Sequence, residues 1–535
     1  MINAAQLRAG SFAERFQGRE SWLFIGVSVF LASMYLLFLN PNVDLQPFNA
    51  HDSVAYLSRA SSLWNGRGYG ETFVDAFFPV TLQPPGFSIL LAPVVGIFGM
   101  NFAVLKLFML ILSGLMAYSC FRFFNYFLSC RKAANRALLL FMASPVIFGL
   151  SHQVLAEVPL FLGCAASLVV FNRYLRPSED FFSPLFPLSA ALIVVSYFIK
   201  PTALGILAGG WLLFFHPKFC SPRTLKKLLL CTLLIGIPIF IWQVWCSAIP
   251  KTNFWTQSAW NDVLLLNPYQ FDSPRASLAD IAVRMRHNLA WGLSANFAMG
   301  LIAPFYFSQG GLPSFLFSLL FVIYFIWMWF KSFVQNPSVL EGFVLFGASL
   351  LMIKFEGMAV RYGALLYPAL IVYAFRGLSS YFGDRAQAFI ATALLILALS
   401  TTCAVALEHW SNPYGGTIVR DYVAAAKKAK QFFPSNSSCS APMATHWQIL
   451  TEHQCFSSNE KAISTKDNGS LTSADYFVIF SDTAPQDFSR FKDFESHIMR
   501  STSGITGRVK KSTAQFETIY RNNTFALVKA VPHVH

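Results

Sequence analysis

Long apolar runs separated by short polar connections fill most of the chain. A spanning helix needs about 20 predominantly apolar residues. Runs of this kind lie near 22–39, 101–120, 137–151, 158–174, 184–200, 202–216, 227–248, 311–330, 339–354, 362–381 and 386–405. Two further apolar stretches, 86–99 and 288–307, are weaker. The pattern predicts an α-helical polytopic protein with eleven spans, thirteen if both weaker stretches cross. No internal repeat is visible.

One polar stretch breaks this rhythm, Asn49 to Phe87. Within it Val54, Leu57, Ala60 and Leu63 recur at helical spacing and predict an amphipathic helix over Ser53–Trp64, with Asp52 or Ser53 as its cap. Its single apolar stripe predicts a helix lying along the membrane surface. Glycines at 66, 68 and 70 stop it, and Gln83-Pro84-Pro85-Gly86 leads into the next apolar run. Past Glu408 the chain turns polar. A helix is expected over 423–433 and strands over 473–480 and 516–531, a small α/β domain. The domain reading is a cytoplasmic segment 1–21, a transmembrane domain 22–405 with an outer loop 40–85, and an extracytoplasmic domain 406–535.

Composition agrees. Of 535 residues, 55% are hydrophobic and only 12% charged, where soluble domains carry roughly 25%. The net charge is +14, and Lys and Arg cluster around 121–136 (Arg122, Arg131, Lys132, Arg136), 171–182 (Arg173, Arg176) and 216–227 (Lys218, Arg223, Lys226, Lys227). Such clusters stay in the cytoplasm, so nucleic acid need not be invoked as a partner. With the amino terminus inside and no cleavable signal peptide expected, an odd span count places the tail outside. The 40–85 loop, 151–156, the Lys200-Pro201 turn, 249–310 and 355–362 then share the outer face. A bacterial inner membrane fits this arrangement.

Ionisable residues in or beside spans are costly and mark function. Here they are Lys106, Glu157, Lys200, Lys354, Glu356 and Arg361, all expected on the side of Asp52. Any one of them could simply snorkel; six on one side favour a shared polar cavity. The cations suit a phosphate. Asp52 and Glu157 supply carboxylates for proton removal or metal binding. Seven cysteines lie in or near spans as apolar fillers. Cys439 and Cys455, alone in a tail expected to be exported, suggest a disulfide. The chain has no CxxC, HExxH or His/Cys cluster, so no cofactor or metal site is called.

His51-Asp52-Ser53-x-x-Tyr56 with Gly66-x-Gly68-Tyr69 resembles the acidic first-loop motif of the glycosyltransferase-C (GT-C) superfamily, in particular the protein O-mannosyltransferases and the bacterial aminoarabinose and mannosyl transferases of the family 39 type. Pro84-Pro85-Gly86-Phe87, Phe98-Gly99, Ser144-Pro145, Ala156-Glu157, Ile199-Lys200-Pro201-Thr202 and Arg361-Tyr362 with Pro368 follow in the order of that superfamily's segments. The tail resembles the exported domain of bacterial members. One departure is Asp52-Ser53, where many relatives have two adjacent acids; the role of the second would have to be dispensable or filled by Asp75 or Glu71. The resemblance implies transfer of a sugar from a polyprenyl-phosphate carrier to a lipid, glycan or protein acceptor, with Asp52 as general base. Lys200, Arg361 and Lys106 would bind the carrier phosphate, and His51, Tyr56, Arg59, Tyr69, Glu71, Gln83, Glu157 and Tyr362 would contact sugar or acceptor. The competing readings are a transporter or flippase for an amphiphilic anion, and a non-catalytic envelope-assembly protein on the same fold.

Overall fold

A computed structural model of the chain describes residues 19–39, 50–71, 77–128, 130–250, 256, 261–267, 273–294, 312–354, 360–411, 417–432, 438–440, 454–456, 465–466, 470–471, 476–480, 502, 505–506, 515–522 and 524–531. The described chain begins with helices α1 (Arg19–Leu37) and α2 (Ala50–Trp64), the short strands β1 (Gly70–Glu71) and β2 (Phe78–Pro79), then α3 (Gly86–Phe98) and α4 (Phe102–Leu128). There follow α5 (Arg131–Met142), α6 (Pro145–Ser151), α7 (Glu157–Tyr174), α8 (Leu185–Ile199), a 3₁₀ turn Pro201–Leu204, α9 (Gly205–Phe214) and α10 (Pro222–Ala248). Next come α11 (Asn261–Leu264), α12 (Leu278–Ser294), α13 (Leu312–Gln335), α14 (Val339–Ile353), α15 (Val360–Gly363) and α16 (Tyr367–Ser411).

A helix stands at the place of every predicted run, and the chain is a mostly helical, polytopic membrane protein. Among the described residues, three helices are long and apolar enough to cross a bilayer: Phe102–Leu128, Pro222–Ala248 and Arg361–Leu407. The run predicted as one span over 137–151 is broken between α5 and α6, which bend by 66°. The cause is Pro145. It forces Ser144 to an extended ψ of 128° and removes an amide hydrogen from the ladder. If that pair crosses as one span, the count of long spans rises to four. Six shorter apolar helices accompany them. The weak stretch 288–307 begins inside α12, an amphipathic helix, and its remainder lies outside the described residues.

α16 has 45 residues, about 67 Å if straight and twice a bilayer's hydrocarbon core. It folds back at Gly383, whose φ of 78° is open to glycine and strained for other residues. Gln387 Nε2 donates to the Phe375 carbonyl at 2.9 Å, although twelve residues of straight helix span about 18 Å. The predicted pair 362–381 and 386–405 is therefore a hairpin of two helical arms.

Close crossings fix the bundle. α9 meets α14 at Gly209 and Gly342, where a Cβ on either glycine would overlap the other helix's backbone. This is small-residue packing of the kind membrane helices use in place of a hydrophobic drive. α2 packs on α3: a Cβ at Gly96 would enter the Trp64 ring, and Ser88 Oγ donates to the Tyr56 carbonyl at 3.2 Å.

Beyond the bundle, α17 (Thr417–Phe432) is followed by strands β3 (Ser438–Ser440), β4 (Gln454–Phe456), β5 (Thr465–Lys466), β6 (Ser470–Leu471), β7 (Tyr476–Phe480), β8 (Gln515–Arg521) and β9 (Phe525–Val531). Five of them form a mixed sheet in the order β4-β3-β7-β9-β8; β3 runs parallel to β4 and β7, while β9 is antiparallel to β7 and β8. α17 covers it, with Tyr422 edge-on to Phe525 and Thr524 Oγ1 donating to Asp421 Oδ2 at 2.7 Å.

Candidate active site

α2 begins at Ala50, so Asp52 sits in its first turn and is not its cap, as the sequence had suggested. The position still favours a carboxylate, because the helix dipole is positive there. The apolar stripe is also differently used. Val54, Leu57 and Ala60 are wholly buried in the core that holds Phe87, Leu91 and Val95. The stripe predicted to rest on lipid is thus spent on α3, and α2 is a protein-packed helix whose first turn meets the next elements of the site.

Those elements are the head of α7, the end of α8 and the short helix α15. Arg361 Nη2 lies 2.7 Å from Asp52 Oδ2, and its Nη1 lies 3.9 Å from Glu157 Oε1. Lys200 Nζ donates to the same Glu157 oxygen at 2.5 Å. Asp52, Arg361, Glu157 and Lys200 therefore form one alternating chain of charges contributed by four elements. Lys200 reaches it because Pro201 ends α8 and holds Lys200 extended, at φ −157° and ψ 130°. Tyr362 forms the floor: its hydroxyl accepts from Arg361 Nη2 at 2.8 Å, and its ring centre lies 3.9 Å from Lys354 Nζ, 4.7 Å from Arg361 Cζ and 5.3 Å from Lys200 Nζ. Three cations thus converge on one aromatic ring.

Burial pushes the Asp52 carboxyl up. The charges of Arg361, Lys200 and Arg59, and the hydrogen bond from Arg361, outweigh it and hold the group below the ordinary aspartate range. Two donors here have no hydrogen-bond partner among the described residues: Arg361 Nη1 and Thr202 Oγ1, both shut off from solvent. A buried donor without a partner costs about 1–3 kcal/mol, so a water or ligand acceptor would be favoured at either.

The other loop residues named from the sequence are engaged in holding the loop. Arg59 is wholly buried, with Nε donating to Glu71 Oε1 and Nη1 to Gln83 Oε1, both at 2.6 Å. Tyr69, also buried, donates from its hydroxyl to the carbonyls of Gln83 and Pro84 at 3.0 and 3.2 Å. Tyr56 is buried edge-on to Phe87 with ring centres 4.9 Å apart. Arg59, Glu71, Tyr69, Gln83 and Tyr56 therefore hold the loop together. Lys106 is buried in the first turns of α4. The side chains of His51, Cys439 and Cys455, together with Asp75 and Glu356, lie outside the described residues. The backbone register does set Cys439 opposite Cys455 on the neighbouring strands β3 and β4.

Sequence reasoning missed the brace behind Lys354. Arg284 on α12 donates to the carbonyls of Val263 and Leu265 and to that of Ile353, at 3.0, 2.7 and 3.1 Å. Asn288 donates to the carbonyls of Leu351, Met352 and Lys354 at 3.2, 2.7 and 2.9 Å. The two side chains take up the open carbonyls at the end of α14 and so fix where Lys354 emerges. The pair Arg284 and Asn288, four residues apart on an amphipathic helix, was the available signal.

No protein-family model matches the sequence, and no curated protein matches it. Solved structures do share its fold. ArnT from Cupriavidus metallidurans, bound to undecaprenyl phosphate, aligns over 96% of this chain and 98% of its own at 11% identity, with a TM-score of 0.51. The oligosaccharyltransferase of Archaeoglobus fulgidus, tethered to an acceptor peptide containing the NVT sequon, aligns over 97% of this chain and 76% of its own at 12% identity, also with a TM-score of 0.51. At this identity the likeness speaks for architecture, and the chain has the fold of the GT-C glycosyltransferases.

Proposed function

We propose that the chain is a glycosyltransferase that moves a sugar from a polyprenyl-phosphate carrier to an acceptor hydroxyl at the outer face of the membrane. The observation that carries this is the Asp52–Arg361–Glu157–Lys200 chain, in which a carboxylate suited to take a proton touches the arginine suited to hold a phosphate. ArnT, a fold relative, binds undecaprenyl phosphate, which supports a carrier of that class. Among the described residues, the cations Lys200, Lys354 and Arg361 gather at the Tyr362 ring, and Lys200 and Arg361 pair with the carboxylates Glu157 and Asp52, which suits an incoming phosphate.

The reaction follows from those positions. The acceptor oxygen attacks the anomeric carbon, the bond from that carbon to the phosphate oxygen breaks, and the acceptor's proton passes to Asp52. The released phosphate keeps the electron pair. Arg361 Nη1, Lys200 and the Thr202 hydroxyl receive its charge. Because Arg361 now pairs with Asp52, an incoming phosphate competes for the same guanidinium. As it draws Arg361 away, the Asp52 carboxylate loses its strongest counter-charge and becomes a better base. Donor binding thereby readies the base. A transfer assay on the purified protein with a polyprenyl-phosphate sugar, wild type beside Asp52→Asn, tests this; a variant that turns over like wild type would overturn it.

In this reading the tail sheet is extracytoplasmic and Cys439 and Cys455 form a disulfide. Neighbouring strands lie about 4.8 Å apart, inside the Cα separation that a disulfide accepts. Mass spectrometry of unreduced peptides should find the two linked, and two free thiols would refute it.

A further inference from the structure

A second polar hollow lies at the opposite end of the bundle. Asn172 lines it, fifteen residues and about 22 Å along α7 from Glu157, as does Ser338, sixteen residues and about 24 Å along α14 from Lys354. The hollow measures about 1240 Å³, larger than a typical small-molecule site of about 300–1,000 Å³. Seven Lys or Arg residues line it, among them Lys132, Arg136, Arg176, Lys331, Arg376 and Arg385, against a single carboxylate, Asp384. That carboxylate accepts from Ser379 Oγ at 2.6 Å.

The positive walls are built, not merely crowded. Arg376 is clamped by bonds from Nε and Nη2 to the Phe127 carbonyl, at 3.2 and 2.8 Å, and from Nη1 to Ser332 Oγ at 2.7 Å. Lys331 Nζ donates to Ser380 Oγ at 3.0 Å and stands 4.3 Å from the Tyr381 ring centre. Basic residues that serve only to orient a membrane protein can spread over the surface. Here cations from separate helices and loops line one cavity, where like charges repel unless an anion lies between them. The walls also include Phe127, Met328 and Phe375, and the neighbouring Trp327, Phe330 and Phe382 are exposed. Charge within and apolar surface alongside suit a molecule with an anionic head and a hydrocarbon tail. Basic pockets between membrane helices bind phosphate headgroups by the same logic.

We propose that this hollow binds the phosphate-bearing headgroup of an anionic membrane amphiphile. It draws on none of the residues of the proposed transfer site, so it stands or falls separately. The full chain in phosphatidylcholine micelles would be titrated with cardiolipin as the lipid probe and with inorganic pyrophosphate as the soluble one. Cardiolipin should bind saturably and more weakly as salt rises. The double variant Lys132→Gln/Arg385→Gln should weaken it at least tenfold, the scale of losing charged hydrogen bonds. Arg223→Gln/Lys226→Gln, at the same end of the bundle but outside the hollow, should change it less than twofold. If the first variant does not fold, Arg176→Gln/Lys218→Gln reads the same walls. Equal weakening by the outside pair, or wild-type binding no tighter to cardiolipin than to phosphatidylcholine, would overturn the site. Pyrophosphate binding as tightly as cardiolipin would overturn the lipid assignment in favour of a soluble phosphate ester.

Discussion

α2 carries two arginine–carboxylate pairs two turns apart, and they are built for different ends. Arg59 and Glu71 are both wholly buried at 0% side-chain exposure, their geometry shared with Gln83. Asp52 and Arg361 are similar in length, but the Asp52 side chain is 23% exposed. The first pair is closed to any third party and holds the loop on the bundle. The second is open on the side of Asp52, and in the proposed reading its arginine changes partners when a phosphate arrives. Pair chemistry does not separate structure from function here; access does.

That contrast can be broken most severely at the closed pair. Arg59→Ala or Glu71→Ala leaves a buried charge without its counter-charge and should cost about 3–5 kcal/mol, read as loss of folded protein or a lower thermal midpoint. Replacing both with apolar residues of similar volume should recover most of it. If Arg59→Ala instead leaves stability intact and abolishes donor binding, the pair does not hold the loop.

At the open pair the same kind of change should move activity more than stability. Asp52→Asn keeps the shape and removes the base, so turnover should fall about 10²-fold or more while the thermal midpoint stays near wild type. Smaller still, Lys200→Ala or Arg361→Ala should raise the KM for the polyprenyl donor about tenfold, from the loss of one charge-assisted hydrogen bond of about 1.5–3 kcal/mol. Unchanged donor kinetics in a folded variant would reduce both to interfacial cations.

The least effect, and the sharpest test of partner exchange, concerns pH. The Asp52 carboxyl is held below its ordinary range in the free protein, so its stabilising pairing is present above the unfolded value and is lost as pH falls through the folded one. The acid limb of kcat/KM, which reports the free enzyme, should therefore lie below that of an ordinary aspartate, about 3.9. The limb of kcat, which reports the donor complex, should lie higher, because the phosphate has taken Arg361 from Asp52. Coincident limbs would mean that Arg361 does not change partners.

Much of the helical order was legible because a bilayer imposes a length: runs of about 20 apolar residues leave few alternatives. Pro145 was equally visible, yet the run 137–151 was read through it, since hydropathy is blind to the missing amide hydrogen. The stripe Val54, Leu57, Ala60 and Leu63 located α2 but could not say what covers it, for lipid and the flank of α3 are alike to an apolar face. The charged residues of the site were likewise all in view, while their pairing was not. Lys200 and Arg361 stood as phosphate ligands and Glu157 as a carboxylate, with nothing along the chain to show that Glu157 touches both.

By itself, then, the sequence determined roughly where helices lie, which residues are too polar for their surroundings, and that Asp52 sits at the start of the loop helix, because these follow from local composition and spacing. The tertiary structure alone decided which cation meets which acid, which pair is sealed and which is open, and that seven basic residues from separated segments enclose one hollow, because each of these depends on distances between parts of the chain that spacing along it does not fix.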